Sequence, residues 1–204
     1  MKNVVLTGIG GQGTVLAAKV LAQAAQARGW RVRTAETIGM AQRGGSVVSH
    51  VRMGDEGERV ASPLVGAGAA DMLIAFEPGE AARVLGLLAP DGVLITASRA
   101  VQPVTASLSK GVYAAGPVLD ALRMRQGRTV EVDEAPLLAA VGNAKALNIV
   151  LITVAVAQRD GAGAPALGLT LDELKSAVAA CVRPKFKDMN LAAVDIVCER
   201  LGLA

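Results

Sequence analysis

The chain has 204 residues with a formal net charge of +3 and 52% hydrophobic side chains, but only one Trp, one Tyr and two Phe. So few aromatics and no block of Lys or Arg argue against a nucleic-acid surface; the one histidine, His50, cannot build a zinc site by itself, and two cysteines cannot supply the four thiolates that an iron–sulfur cluster commonly needs. The core must be built from Val, Leu, Ile and Ala, which suits parallel strands covered by Ala-rich helices, and at this size roughly 70% of the unfolded chain's surface is buried on folding.

A short apolar run, Val4-Val5-Leu6, leads into Gly8-x-Gly10-x-x-Gly13, and a helical pattern opens at Thr14 with Val15, Leu16, Ala18, Val20 and Leu21. Strand, glycine turn and helix in this order are the context the motif requires. Gly8 allows the tight turn, Gly10 lets a phosphate approach the backbone, and Gly13 lets the helix pack close on the strand. The free N–H groups at the helix start suit an anion. Gly8, Gly10, Gly11, Gln12, Gly13 and Thr14 are therefore candidate binding residues for a phosphate, a diphosphate or another anion; a βα turn that only packs well would read the same way.

The first helix closes near Gly29, and Arg31–Glu36 reads as a second strand. Glu36 lies 23 residues beyond Gly13, where an acid bonds the ribose in a dinucleotide-binding Rossmann domain, so a stand-alone NAD(P)-binding protein is one reading. The next stretch departs from that template. A crossover helix is needed to return to a parallel strand, and Thr37–Gly45 is a polar, glycine-rich loop of nine residues. Ser46–Met53 then alternates with period two, a strand with Ser46, His50 and Arg52 on one face. Within the loop Arg43, flanked by glycines, can approach a carboxylate, a phosphate or a partner's backbone, and Gln42 adds an amide. His50 is a candidate general acid or base, or a residue on a solvated strand face. Arg43 and His50 are the two candidate catalytic residues.

Asp55–Glu58 reads as a turn and Val60–Val65 as a short returning strand. Asp71–Phe76 is a buried strand, Glu77-Pro78 opens a helix through Leu88, Pro90-Asp91-Gly92 signals a turn, and Val93–Thr96 is the next strand. Residues 101–115 are irregular, Pro117–Gln126 is a short helix and Arg128–Val132 a final strand. From Asp133 the pattern is helical: Ala135–Val141; an almost wholly apolar Ala144–Gln158, a core helix or subunit interface; a helix opened by a Thr170/Glu173 capping box; and a last one from Pro184 to Leu201. The stretch Ala146–Gln158 is too short to span a membrane. The fold expected is α/β, one domain over 1–204, with a Rossmann-like, mostly parallel sheet flanked by helices in 1–132 and a helical part in 133–204.

There is no Gly-x-Ser-x-Gly and no Walker loop, since Gly13 is followed by Thr14 rather than Lys. The usual thiamine diphosphate signature, Gly-Asp-Gly followed some way on by Asn, is missing as well: Gly54-Asp55 runs into Glu56, and Pro90-Asp91-Gly92 meets no Asn before Asn143. Met1-Lys2-Asn3 runs directly into the first strand, which points to a cytoplasmic protein with Cys181 and Cys198 reduced.

These stretches together resemble a known family. Thr7-Gly-Ile-Gly-Gly-Gln-Gly13 is similar to the first turn of the gamma domain of 2-oxoacid:ferredoxin oxidoreductases. Gly39-Met-Ala-Gln-Arg-Gly-Gly-Ser-Val-Val-Ser-His-Val-Arg52 resembles more narrowly the smaller, beta subunit of the indolepyruvate ferredoxin oxidoreductases. Gly142-Asn143 with Asn148, and Pro184-Lys-Phe-Lys-Asp-Met-Asn190, fit the same family, and the resemblance spans nearly the whole chain. It implies a hetero-oligomer in which a large partner subunit carries thiamine diphosphate and the iron–sulfur clusters. The complex would decarboxylate an aryl 2-oxoacid oxidatively, form an acyl-CoA and pass electrons to ferredoxin. It also implies that Met40, Gln42, Arg43, Gly44, Gly45, Ser46 and Arg52 belong to a loop facing the partner or substrate, and that the glycine turn holds part of CoA, another anion or nothing. A non-catalytic assembly subunit is a further reading; no metal or nucleic acid is implied for this chain.

Overall fold

The computed structural model describes residues 1–39, 44–55, 57–101 and 113–203. Six strands form one sheet: β1 (Lys2–Ile9), β2 (Arg31–Ile38), β3 (Ser46–Gly54), β4 (Ala70–Ala75), β5 (Leu88–Ala97) and β6 (Thr129–Val132), in the order β2-β3-β1-β4-β5-β6. β1, β4, β5 and β6 pair in parallel, whereas β3 runs antiparallel to both its neighbours, β1 and β2. The expected sheet is thus a mixed one, and the reason is chain length. The link between β2 and β3 is too short for a crossover, so the chain turns back beside itself. β3 is thereby inserted between β1 and β2. Glu36 ends up two strand spacings from β1, about 10 Å away rather than one spacing as in a dinucleotide fold.

Seven helices accompany the sheet: α1 (Thr14–Ala27), α2 (Pro78–Val84), α3 (Ala115–Arg123), α4 (Glu134–Val141), α5 (Leu147–Ala157), α6 (Leu171–Cys181) and α7 (Lys187–Leu201). Val4 and Leu6 of β1, Met72 and Ile74 of β4 and Ile95 of β5 pack on one face against α1 and α5, with α6 and α7 behind. Val5, Leu73, Ala75 and Leu94 face the other way, onto Ala81 of α2 and Leu122 of α3. The alanines of α1 (Ala17, Ala18, Ala24 and Ala25) are all buried and let it lie close to the sheet. α5 is buried on all sides against α1, α4, α6, α7 and the sheet, which makes it the core helix its composition allowed. α6 opens with the expected capping box: Thr170 Oγ1 accepts from Glu173 N (3.3 Å) and Glu173 Oε2 accepts from Thr170 N (2.8 Å). Among the described residues no helix is long and apolar enough to cross a membrane.

Several boundaries differ from the sequence reading. Residues 60–65 form a loop, not a strand: Arg33 donates to Val60 O (2.8 Å) and Arg52 to Ser62 O (3.0 Å), so side chains take the bonds a neighbouring strand would have made. The helix from Pro78 ends at Val84 and passes through a 3₁₀ turn, Leu85–Leu87, so that Leu88 already begins β5. Pro90-Asp91-Gly92 makes no turn between elements but a bulge inside β5, where the pairing slips between Ala70–Leu88 and Met72–Val93. A Cβ on Gly92 would meet Ala70 O at 2.9 Å, so only glycine fits there. The helices read from Ala144 and from Pro184 each begin as one 3₁₀ turn before α5 and α7 proper.

Candidate functional site

The glycine turn lies at the carboxyl end of β1, where the sheet changes winding: the chain leaves β1 through α1 on one face and leaves β4 through α2 on the other. Crevices at such switch points are where open α/β sheets bind ligands. Gln12 holds the turn across the crevice. Its Oε1 accepts from Ile9 N (2.7 Å) and its Nε2 donates to Phe76 O, at the end of β4 (3.0 Å). Gly8 must be glycine, because a Cβ there would lie 2.8 Å from both Gln12 Oε1 and Phe76 Cβ. Gly13 has φ +85°, and a Cβ on it would press on the Asn148 amide of α5 at 3.0 Å. Its absence lets α5 seat against the start of α1.

Gly10 also makes a bond across to β3. Its N–H donates to Gly45 O (2.8 Å), and Gly39 N donates to Ser46 O (2.8 Å), so the turn is stitched to the start of β3. The N–H groups of the first turn of α1 remain as anion donors, as at any helix start. Beside them is a cavity of about 490 Å³ bounded by Gly11, Gln12, Phe76, Arg99, Lys145 and Leu147. Arg99 and Lys145 are exposed cations on its wall, and neither was visible from the motif. Its floor is fixed by buried Glu134, which accepts from Ser98 N (3.0 Å) and Ser98 Oγ (3.1 Å). Thr14 is buried, and its Oγ1 has no partner among the described residues.

On the α2 side of the sheet a second polar cluster braces the same end of β1. Glu80 accepts from Thr7 Oγ1 (3.4 Å), from Arg83 Nη2 (2.6 Å) and, in a short bond, from Ser46 Oγ. Glu77 caps α2 through Glu80 N (2.9 Å) and accepts from Tyr113 OH (2.5 Å). Burial first, and the Glu77 carboxylate second, raise the Tyr113 phenol well above its ordinary value, so it stays protonated and donates to Glu77. The two glutamates thus hold Ser46 at the start of β3 and Tyr113 just before α3.

Of the candidate loop, Met40, Gln42 and Arg43 lie outside the described residues. Gly44, Gly45 and Ser46 sit beside the glycine turn. His50 and Arg52 do not: they lie roughly 14 and 20 Å along β3 from Ser46, toward the opposite end of the sheet. Their strand face is covered rather than solvated. His50 Nδ1 accepts from Val65 N (3.3 Å), and Arg52 is committed to Asn3 Oδ1 (2.9 Å) and to the carbonyls of Ser62 and Leu64. Both hold the 60–65 loop.

Burial lowers the His50 pKa from 6.5, and the Val65 N–H needs Nδ1 unprotonated. The unfolded chain therefore takes up this proton at higher pH than the folded one. Stability should be full above about pH 6.5 and decline as pH falls below it. Since His50 is the sole histidine and carboxylates titrate lower, the window is its own. Melting curves between pH 7 and 5 should show a slope in the native chain that is lost in His50→Gln; an unchanged slope in the variant would show that another group is responsible.

Comparison with known proteins completes the description. A model of the pyruvate ferredoxin/flavodoxin oxidoreductase family matches residues 3–199. The chain is 35% identical over 199 residues to the indolepyruvate oxidoreductase subunit IorB of Pyrococcus horikoshii, covering 95% of this chain and 93% of that one. It is 35% identical over 210 residues to the IorB subunit of Thermococcus kodakarensis, covering 98% of each. In structure it is similar to the gamma subunit of a keto/oxoacid ferredoxin oxidoreductase from Geobacter sulfurreducens, at a TM-score of 0.69 and 21% identity over the full length of both.

Proposed function

The chain belongs to the pyruvate ferredoxin/flavodoxin oxidoreductase family, and from that premise we propose that it is the smaller subunit of an indolepyruvate ferredoxin oxidoreductase. In the complex an aryl 2-oxoacid loses CO₂, its acyl group passes to CoA, and the electrons released go to ferredoxin. The large subunit carries thiamine diphosphate and the iron–sulfur clusters. Among the described residues no group of three or more His, Cys, Asp or Glu side chains is placed to hold a metal. The assembly is a cytoplasmic hetero-oligomer.

The observation that carries the reading is the Gly10–Gly45 hydrogen bond. It joins the glycine turn to Gly45, at the start of β3, and so links the two sequence stretches that bear the resemblance. In this reading the 39–46 segment, with Arg43, docks on the large subunit near its active site. The adjoining cavity holds an anionic part of CoA through Arg99 and Lys145. The residues fit such a group: two exposed cations without a counter-ion among the described residues line it beside Gly11 and Gln12 of the turn. An NAD(P) site is disfavoured by the place of Glu36, exposed and two strands from β1.

The test is a tagged pull-down from the native host without oxygen, read by mass spectrometry and visible absorption. A large brown partner with 2-oxoacid- and CoA-dependent dye reduction is expected. A colourless chain that comes down alone and binds NAD(H) would overturn the proposal. Full activity in a complex carrying Arg43→Ala would remove the docking role given to that residue.

A further inference from the structure

We propose that the large subunit docks on a basic surface built where α6 ends and α7 begins, and that it meets this surface with carboxylates; the proposal rests on the subunit role given above. Arg183, Lys185 and Lys187 stand at alternate positions between the two helices, and all three are exposed. The Phe186 N–H donates to Arg183 O (2.9 Å), which closes this stretch into one tight turn and keeps the cations together. Lys19 of α1 is exposed beside them, since Cys181 Sγ at the end of α6 lies 3.9 Å from Lys19 O. α1 and α6 run in opposite directions: Arg28, just past the end of α1, pairs with Glu173 in the first turn of α6 (3.1 Å). The start of α1 and the end of α6 therefore share one edge.

The charge is not balanced locally. None of Lys19, Arg183, Lys185 and Lys187 makes an ion pair among the described residues. Asp188 is the one acid between Lys175 and Val194, and α1 contains none. The acids of α6, Asp172 and Glu173, lie in its first turn, roughly 12–14 Å along the helix from Cys181. Residues 40–43 and 102–112 include no Asp or Glu. The fold does not gain from the arrangement either. Lys185 and Lys187 sit in the 3₁₀ turn and first turn that open α7, at the positive end of a helix, where acids are favoured and cations disfavoured.

Apolar side chains stand among the charges. Phe186 is 41% exposed, with Lys185 Nζ over its ring at 4.9 Å. Val15, one turn before Lys19 on the same side of α1, is 39% exposed. Cations that the helix disfavours and apolar groups left in water both gain from a partner that brings carboxylates and an apolar contact together. Position selects the large subunit. Val15 and Lys19 line a groove of about 480 Å³ with Gly10, Gly11 and Val47, so the surface continues into the glycine turn and the start of β3, to which the 39–46 segment is tied. A second copy of this chain is a poor occupant, because across a two-fold axis the patch would face itself and cation would oppose cation.

The test uses the assembled complex, and the native chain must first bring down its large partner; if it does not, the subunit reading falls and this proposal with it. In the assembled system Lys185→Glu with Lys187→Glu should slow association roughly tenfold at low salt and less at high salt, and leave dissociation within about twofold. The isolated variant should melt no lower than the native chain, because acids suit a helix start. Arg31→Glu with Arg59→Glu changes the net charge equally on exposed residues at the opposite end of the sheet, and should change association by less than about threefold. Carbodiimide, which joins an amine to a carboxylate in direct contact, should couple Lys185 or Lys187 to an Asp or Glu of the large subunit. Unchanged association in the Lys185/Lys187 pair, an equal loss in the control pair, or coupling to a second copy of this chain in place of the large subunit would each overturn the proposal and leave the subunit role standing. A melting temperature several degrees lower in the isolated variant would overturn it as well, by showing that the cations serve the fold.

Discussion

Gly8→Val should lower the melting temperature by roughly 6–12 °C, an overpacking cost of about 3 kcal/mol in a chain of this size. A Cβ at position 8 meets Phe76 Cβ and Gln12 Oε1 at 2.8 Å and Thr14 Oγ1 at 3.2 Å, and valine adds two methyl groups to that crowd. Phe76 is fully buried, so it cannot move aside without disturbing both neighbouring strands. Gln12 can move, but only by releasing Ile9 N and Phe76 O, the two bonds that span the crevice. The expected signature is local as well as global: the Ile9 amide should exchange rapidly in Gly8→Val. Gly11→Ala is the control. Gly11 has φ +104° with nothing within 4 Å of a Cβ, so alanine there strains the backbone and leaves the Gln12 bonds in place. Slow Ile9 exchange in both variants, or a fall of only a degree or two in Gly8→Val, would show that the turn accommodates a side chain and that Gln12 does not pin it.

What could be read from the sequence follows the range of the interactions involved. The β1 turn and the start of α1 are local and lie where the spacing put them, whereas the neighbour that Gly13 admits, Asn148 of α5, is far along the chain. The departure from a dinucleotide fold was also local, because a nine-residue loop cannot contain a crossover helix. The errors lie where distant residues decide. Pro90-Asp91-Gly92 has turn chemistry, yet β4 alongside absorbs it as a bulge. Residues 60–65 read as a short returning strand, yet they form a loop in which Arg33 and Arg52, from other strands, satisfy the carbonyls of Val60 and Ser62. His50 was legible as a titratable group on a polar strand face. Its burial was not, because the cover comes from Val65 in that same misread loop. The Gly10 bond is equally long-range: its N–H donates to Gly45, 35 residues on, a contact no local pattern shows. Arg99 and Lys145 carry no motif at all, since they meet the turn only through the ends of β5 and α5.

Those two cations give the second prediction, which rests on the proposed subunit role. Arg99→Gln with Lys145→Gln in the assembled complex should raise the KM for CoA roughly five- to thirtyfold at low salt, at about 0.5–1 kcal/mol per exposed cation. The value of kcat should hold, because neither residue is placed to touch reacting atoms and the contact would be the same in ground and transition states. The KM for the 2-oxoacid should not move, since that pocket is assigned to the partner. Added salt should narrow the gap between native and variant complexes, because exposed charges are screened within a Debye length of about 10 Å at 0.1 M. Both side chains are exposed, so the variant chain should fold and assemble as before, and a fall in recovered complex would point instead to a docking role for this wall. If the KM for CoA is unchanged while assembly is intact, the cavity beside the glycine turn holds no part of CoA. The Gly10–Gly45 stitch would then be sufficient reason for the motif: a glycine turn kept because it packs three ways at once, against α5 through Gly13, against Phe76 through Gly8, and against the start of β3 through Gly10.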